Sequence, residues 1–342
     1  MDATAARAAG RPGTRLAEEL RRPWSDRRAE LVLGALACSL LALIAGIVVF
    51  VFANAWPSFS HNGFAWFGSG GNVDQQLGDV FNSPANPDEY VYHLRAWPLL
   101  YGTFVTTAGA VLVGVVVSVF AAIFIVEFAP PRLRSALEPV VRLLAAVPSV
   151  IYGLIGILVL VPFVNNHLVS EGRKESVQYV INLSGTGLLV SVAILTVMIT
   201  PIMIAITVDA LYAVPRGWKE GAVALGVNRW RAMWTVSVRA ARPAIIAGAV
   251  LACARALGEA IMLSMVSGSK GFAPNPADGI TFIFEPLRPL ASTIVEDAES
   301  LNAPAVQATI YSFALLLLFS AFVMSFCAWL AKQPMKKYGI RV

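Results

Sequence analysis

The stretch Trp218–Glu259 reads WKEGAVALGVNRWRAMWTVSVRAARPAIIAGAVLACARALGE and decides the fold of this chain. Its first half is a loop with helical periodicity that is too charged to lie in hydrocarbon. Its second half is an apolar helix that carries Arg255 and Glu259. Because charged side chains are costly at membrane depth, this pattern indicates a functional site inside a bilayer, preceded by a loop outside it that receives movement from a partner.

The composition places the whole chain in a membrane. Apolar residues make up 57% and charged residues 14%, and the mean hydropathy is +0.68, whereas soluble domains contain about 25% charged residues. The pI of about 9.2 could suggest nucleic-acid binding, but the lysines and arginines lie in blocks between apolar runs, as the positive-inside rule requires. We therefore predict an all-α, polytopic membrane protein with six transmembrane helices and both termini in the cytoplasm.

Motifs for chemistry are missing from the sequence. It contains no nucleophile elbow, no phosphate-binding P-loop and no H-E-x-x-H. The three histidines lack metal-ligand spacing, and each of the three cysteines lies in an apolar run. We predict no catalytic residue, no metal site and no enzyme activity in this chain, so any energy must come from another chain.

The domain organisation follows the alternation of apolar and basic segments. We predict a basic cytoplasmic tail at 1–30, a first transmembrane helix at 31–53, an extracytoplasmic loop at 54–97, a membrane-embedded core at 98–330 and a second basic tail at 331–342. The core holds five spans and a cytoplasmic connection at 209–243. The spans are predicted at Leu99–Phe128, Glu138–Val164, Leu188–Val208, Ala244–Ser267 and Val306–Leu330. The first helix is too long for a typical signal peptide.

Two features within the spans suggest close packing or a break. In the second span, Gly109, Gly114 and Ser118 are spaced either for close approach of a neighbouring helix or as lipid-facing filler. In the third span, Pro148 interrupts LLAAVPSVIYGLIG and frees a backbone carbonyl. This proline marks either a helix break that lines a pathway or a simple kink or delayed helix start.

The connection at 209–243 predicts a two-helix elbow. Pro215 sets the start of a short helix, Gly226 ends it and Asn228 caps a second helix. Apolar side chains on this elbow form a face for a partner protein or for the bilayer surface; they are Ala222, Leu225, Trp230 and Trp234.

The segment EGAVALG resembles the EAA loop of permease subunits of binding-protein-dependent ABC importers. Its core corresponds to Glu220, Gly221, Ala222, Leu225 and Gly226. The resemblance implies the type I importer (MetI-like) permease fold, with this loop seated in a groove of a separate ATPase. Two departures are present: Gly221 replaces an alanine, and Arg239 stands at the usual proline position, with Pro243 four residues later. They put the second helix of the elbow in question.

Two further stretches are similar to the phosphate-specific permeases: LLAAVPSVIYGL at Leu143–Leu154 and RALGE at Arg255–Glu259. The long first outer loop resembles the PstC type more than the PstA type. This resemblance implies import of inorganic phosphate together with a PstA-like permease subunit, a PstB-like ATPase dimer and a PstS-like phosphate-binding protein. ATP and magnesium would be bound by the ATPase, and no cofactor is expected in this chain.

Arg255 and Glu259 are four residues apart, so we expect them to share a helix face and to be able to pair. Each buried charge costs about 2.5–3.5 kcal/mol at mid-membrane depth, which makes a lipid-facing position improbable. An internal ion pair that only locks helix packing is one alternative. The resemblance implies the other, in which both residues lie in the translocation path.

Two other functions are compatible with the residues. An ABC permease for molybdate or sulfate would keep the elbow. A secondary transporter driven by an ion gradient would use Arg255 and Glu259, but it should show inverted repeats, and none is visible.

Overall fold

The computed structural model describes residues 24–84, 86, 89–177, 182–298 and 303–337, and the regular structure of these ranges is helical. The predicted tails at 1–30 and 331–342 fall partly outside them, at 1–23 and 338–342. The described α-helices are α1 Trp24–Asn62, α2 Val73–Phe81, α3 Trp97–Ile123, α4 Pro131–Ala145, α5 Ser149–Ile155, α6 Val161–Phe163, α7 Glu171–Val177, α8 Leu188–Tyr212, α9 Arg216–Ala224, α10 Arg229–Ala232, α11 Arg239–Leu257, α12 Ile261–Val266, α13 Leu290–Glu296 and α14 Pro304–Lys337.

Several of these helices continue into turns of π-helix or 3₁₀-helix. Turns of π-helix follow α3, α5, α6 and α10, at Phe124–Phe128, Gly156–Leu160, Val164–Leu168 and Met233–Val238. Among the described residues, 3₁₀ segments lie at Gly63–Phe67, directly after α1, and at Pro276–Phe284. A π turn adds a residue to the helical ladder and often marks a functional position.

Six helical segments of the described chain are long and apolar enough to cross a membrane, as predicted. They are Arg28–Phe67, Trp97–Phe128, Ser149–Leu168, Leu188–Tyr212, Arg229–Leu257 and Pro304–Leu330. The first helix, α1, extends beyond the predicted 31–53 at both ends, and α14 continues past Leu330. We call the end of the bundle that carries the basic connections after α3 and α8 the cytoplasmic end, following the predicted orientation.

Two predicted spans have different bounds in the structure. The third, predicted at Glu138–Val164, is divided at Ala146–Pro148 into α4 and the segment that begins with α5. The fifth, predicted at Ala244–Ser267, instead begins at Arg229 and ends at Leu257. Both differences have reasons in the local sequence. Pro148 cannot donate a helical hydrogen bond, so the third span is divided there. In the fifth span, apolar residues continue past Leu257, so hydropathy does not show where the helix ends.

The described residues up to Val51 and those from Phe52 onward belong to two compact units, and the second unit contains the membrane-embedded core. Within it, α3 and α11 both pack on α8. A Cβ added at Gly109 or Gly114 would lie 3.1 or 3.2 Å from Val192 or Ile199 of α8. Ser118 donates its hydroxyl to the carbonyl of Thr200 at 3.2 Å. The small residues of the second span therefore permit close helix approach, the first of the two alternatives.

The connection after α1 forms an ordered cap in the second unit. Trp66 is fully buried and its ring lies 6.0 Å from that of Phe313 in α14. Leu77 of α2 and Leu94 belong to the same apolar cluster. The predicted extracytoplasmic loop is thus a small folded layer on the outer ends of the spans.

Candidate translocation and coupling sites

The elbow forms as its capping residues predict. Helix α9 begins after Pro215, and Gly226 ends it with φ of 84°, in the left-handed region that favours glycine. The N–H of Val227 then donates to the carbonyl of Ala222 at 3.2 Å. Asn228 accepts the N–H of Arg231 at 2.7 Å and starts α10. The chain therefore reverses tightly between two helices.

Helix α9 presents most of its side chains to the outside of this chain, whereas Lys219 and Ala222 are half-buried. Over its described length it has no buried residue, and Glu220 is exposed. Leu225, which follows it, is 87% exposed. A Cβ added at Gly221 would meet nothing within 4 Å, so the glycine at this position is not demanded by packing. The elbow offers an unpartnered surface of apolar and charged groups.

The two elbow tryptophans differ from the prediction. Trp234 is half-buried and packs edge-on against Phe120 of α3, with ring centroids 5.7 Å apart. Trp230 lies 6.0 Å from Phe128 at the end of the second span. The two rings thus join α10 and the π turn after it to the second span; Trp230 stays 49% exposed, and the apolar group left most accessible on the elbow is Leu225.

Arg239 does not interrupt the second helix of the elbow. The chain runs from α10 through the π turn Met233–Val238 into α11 without a break, and Pro243 lies inside α11. The elbow is therefore continuous with the helix that carries Arg255.

Glu127 is a buried acid at the elbow that the sequence analysis did not select. It lies in the π turn Phe124–Phe128 with its side chain 1% exposed, and it forms ion pairs with Lys219 of α9 and with Arg229 of α10, the latter at 3.3 Å. These groups border a cavity of about 300 Å3 that Arg134, Arg216 and Glu220 also line. A lone acid at the end of an apolar run is a signal that could have identified it.

Arg255 lies near the middle of the bundle. Gly248 of α11 packs on Ile206 of α8, where an added Cβ would lie 2.9 Å from that side chain. Arg255 is seven residues further along α11, about 10 Å at 1.5 Å per residue, and this brings it level with the centre of α8. The side chain is exposed, and it interacts electrostatically with Tyr152.

Glu259 does not share a helix face with Arg255, so that prediction is wrong. Helix α11 ends at Leu257, and Glu259 lies in the break before α12. Its side chain is buried, and Oε1 accepts the N–H of Met262 at 3.2 Å. Among the ion pairs of the described residues, none joins Arg255 to Glu259. Hydropathy could not reveal the helix end because apolar residues continue on both sides of Gly258 and Glu259.

Pro148 also lies at a helix break. It is exposed and immediately precedes α5, the delayed helix start that was one of the alternatives. The Tyr152 hydroxyl donates to the carbonyl of Leu144 at 3.0 Å and so satisfies a carbonyl freed by the break. An added Cβ at Gly153 would lie 2.8 Å from Met265, so α5 packs directly on α12. The structure therefore packs α5, which follows the break at Pro148, against α12, which follows the break after Leu257.

Comparison with known proteins identifies the family. Residues 114–332 match the family described as "Binding-protein-dependent transport system inner membrane component". The chain belongs to this family. The match covers the second span to the last, including the elbow and Arg255. Together with the six apolar segments, it makes this permease a multi-pass protein of the cell membrane.

Three relatives are similar in sequence to this chain over different shares of its length. The "Probable ABC transporter permease protein YqgH" of Bacillus subtilis is 31% identical over 253 residues, 74% of this chain and 75% of that protein. The "Phosphate transport system permease protein PstC" of Mesorhizobium japonicum is 30% identical and covers 85% and 84%. The "Phosphate transport system permease protein PstC 1" of Mycobacterium bovis is 37% identical, but over only 60% of this chain and 61% of that protein. These relatives are transport permeases.

A solved structure supports the fold. A chain of a bacterial alginate ABC transporter, crystallised with its alginate-bound periplasmic protein, aligns with a TM-score of 0.50 and 14% identity. The alignment covers 93% of this permease and 98% of that chain. At this identity the likeness concerns the fold alone, and the ABC importer permease fold predicted from the elbow is confirmed.

Proposed function

We propose that this permease is the PstC-like subunit of an ATP-driven importer that moves inorganic phosphate into the cell. The observation that carries the proposal is the exposed guanidinium of Arg255 at the level of the centre of α8. The names of the PstC relatives support phosphate as the cargo, as does the RALGE resemblance.

Arginine suits this cargo chemically. Its guanidinium presents a planar fork of donors that matches phosphate oxygens and stays charged in an apolar setting. Because an anion must leave as well as enter, a single exposed arginine is better suited than an enclosed cluster of cations. Tyr152 interacts electrostatically with Arg255. Pro148 lies at the helix break directly before α5, the helix that carries Tyr152. We assign Arg255 to the anion and Pro148 to the lining of the path.

Glu259 has a different role in this proposal. Its carboxylate is buried and bonded to the backbone of α12, so it fixes the turn that follows Arg255. We propose that it positions the end of α11 and that it does not itself bind phosphate. This replaces the expected ion pair with a structural link between α11 and α12.

The partners are inferred from the family and from the exposed elbow. A PstB-like ATPase dimer, which binds ATP and magnesium, would cover α9 and contact Glu220, Gly221, Ala222, Leu225 and Gly226. A PstA-like permease subunit and a PstS-like phosphate-binding protein would complete the importer. The high exposure of Leu225 supports a partner at the elbow, since an isolated exposed leucine beside a helix with no buried residue gains little from this chain alone.

The elbow would transmit movement directly. Because α10, the π turn and α11 are continuous, displacement of the elbow on ATP binding would shift the helix that carries Arg255 and open the path outward. Hydrolysis would reset it. This chain would perform no chemistry.

Uptake by the reconstituted complex tests the proposal. Labelled phosphate should enter proteoliposomes only with ATP and the binding protein, and unlabelled phosphate should compete better than sulfate or molybdate. Preferred competition by sulfate or molybdate would assign another oxyanion. Phosphate uptake by this chain alone, driven by a proton gradient, would instead establish a secondary transporter.

A further inference from the structure

We propose that Glu127 is a positioning residue that connects the coupling elbow to the second span, so that the elbow and the cytoplasmic end of α3 move together. The inference rests on the proposed function, because it assigns a second route for movement that reaches the translocation path. The first route is the continuous helix from α10 into α11.

The ion pairs of Glu127 reach both arms of the elbow. Oε2 pairs with Nζ of Lys219 in α9, and Oε1 with the guanidinium of Arg229 at 3.3 Å. These two cations lie on either side of Gly226, where the chain reverses. A single carboxylate at the end of the second span therefore binds the helix that faces the partner and the helix that continues into the membrane.

Burial makes this connection hard to break. The Glu127 side chain is 1% exposed, and a buried carboxylate is tolerated only when cations or donors compensate its charge. Lys219 and Arg229 are themselves 32% and 68% exposed, so water can solvate them if they separate. Separation would leave the buried Glu127 carboxylate without its cations, which costs free energy. The elbow is therefore favoured to stay bound to α3 when the elbow moves.

The surrounding backbone holds Glu127 in this position. Arg134 donates Nε to the carbonyl of Ile125 at 2.9 Å and a second nitrogen to the carbonyl of Val126. These carbonyls belong to the π turn that carries Glu127. The arginine thus fixes the turn from the side of α4.

Aromatic contacts extend the same interface. Trp230 packs on Phe128 next to Glu127, and Trp234 packs on Phe120 further along α3. The buried side chains of Ile125 and Met233 lie in one apolar cluster beneath them. Polar and apolar contacts therefore join the elbow to α3 over about two helical turns, as expected of parts that move as one body.

The test measures the coupling of transport to ATP hydrolysis in the assembled complex. Glu127→Gln keeps the shape of the side chain but removes its charge, and we expect several-fold fewer phosphate ions moved per ATP hydrolysed while the complex still assembles. Glu171→Gln is the matched control, because Glu171 forms an exposed ion pair with Lys174 away from the elbow. An unchanged ratio of phosphate to ATP in Glu127→Gln would overturn the inference.

A second measurement tests the inference if the Glu127→Gln complex fails to assemble. In a Glu127→Cys/Lys219→Cys variant, with Cys38, Cys253 and Cys327 replaced by serine, a short bifunctional thiol reagent would join the two positions. We expect the tether to restore the coupling ratio that the untethered pair has lost. If tethering blocks transport, the two positions must separate during the cycle and the inference is wrong.

The controls separate this inference from the proposed function. Absence of phosphate uptake by the wild-type complex would count against the proposed function. Normal wild-type uptake with an unaltered Glu127→Gln ratio would count against the role of Glu127 alone.

Discussion

Arg255 and Glu259 are four residues apart but belong to different structural elements, because α11 ends between them and the Glu259 carboxylate accepts the N–H of Met262. This arrangement leaves the guanidinium exposed near mid-membrane while the acid is buried in the turn beside it. The two residues should therefore respond differently to substitution.

Replacement of Arg255 should strongly reduce transport without preventing assembly. Arg255→Gln removes the charge that binds the anion, and we expect phosphate uptake to fall about tenfold or more, since a charge-assisted hydrogen bond contributes about 1.5–3 kcal/mol. ATP hydrolysis should continue. Arg242→Gln, an exposed arginine near the cytoplasmic end of the same helix, is the control. Normal uptake by Arg255→Gln would refute a direct role.

Replacement of Glu259 should affect stability before substrate binding. In Glu259→Gln the amide oxygen can still accept the N–H of Met262, so uptake should be largely retained. Glu259→Ala leaves that N–H unpaired, at a cost of about 1–3 kcal/mol, and should lower the melting temperature in detergent. If Glu259→Gln lost uptake at normal stability, the acid would act on the anion directly.

Two glycines of the elbow should respond in opposite directions to alanine. Gly226→Ala places a side chain at φ of 84° and should destabilise the elbow by about 1–2 kcal/mol. Gly221→Ala meets no neighbouring atom and should favour α9 by about 1 kcal/mol. Hydrogen exchange of residues 216–232 measures both effects. Equal exchange in the two variants would contradict the observed turn.

The outer acid cluster should make stability depend on pH. Arg288 forms ion pairs with Asp74, Glu296 and Asp297. Burial raises the pKa of the Glu296 and Asp297 carboxyls, although Arg288 partly opposes the shift. The folded state therefore keeps protons that the unfolded chain has lost, and stability falls as pH rises from about 4, the ordinary carboxyl pKa, through the raised values.

A titration of melting temperature checks this sign. As pH is lowered from neutral toward 4, the wild-type melting temperature should rise relative to that of the Glu296→Gln/Asp297→Asn double variant, whose amides do not titrate in this range. A relative fall would show that the ion pairs with Arg288 outweigh the cost of burial.

Local signals in the sequence predict much of the elbow and the number of spans. Pro215, Gly226 and Asn228 act through backbone dihedral angles and hydrogen bonds to near neighbours, so their effects can be inferred from adjacent residues. The apolar runs likewise indicate six membrane-crossing segments because a bilayer demands a minimum helix length.

Contacts between distant residues could not be predicted in the same way. Lys219 and Arg229 lie 92 and 102 residues beyond Glu127, and their pairing depends on how α3 packs against the elbow. The packing of Trp234 on Phe120 has the same origin. The contact of α12 with α5, which follows the helix end between Arg255 and Glu259, likewise joins segments far apart in the chain.

The sequence by itself determined that this protein is a helical membrane protein with a two-helix elbow and an arginine deep in its fifth span, because hydropathy, charge distribution and capping are local properties. Only the tertiary structure decided that Glu259 supports a turn, that Glu127 binds both arms of the elbow and that the elbow continues into the helix of Arg255. These outcomes depend on the burial of charge and on helix packing between segments far apart in the chain, which no local pattern specifies.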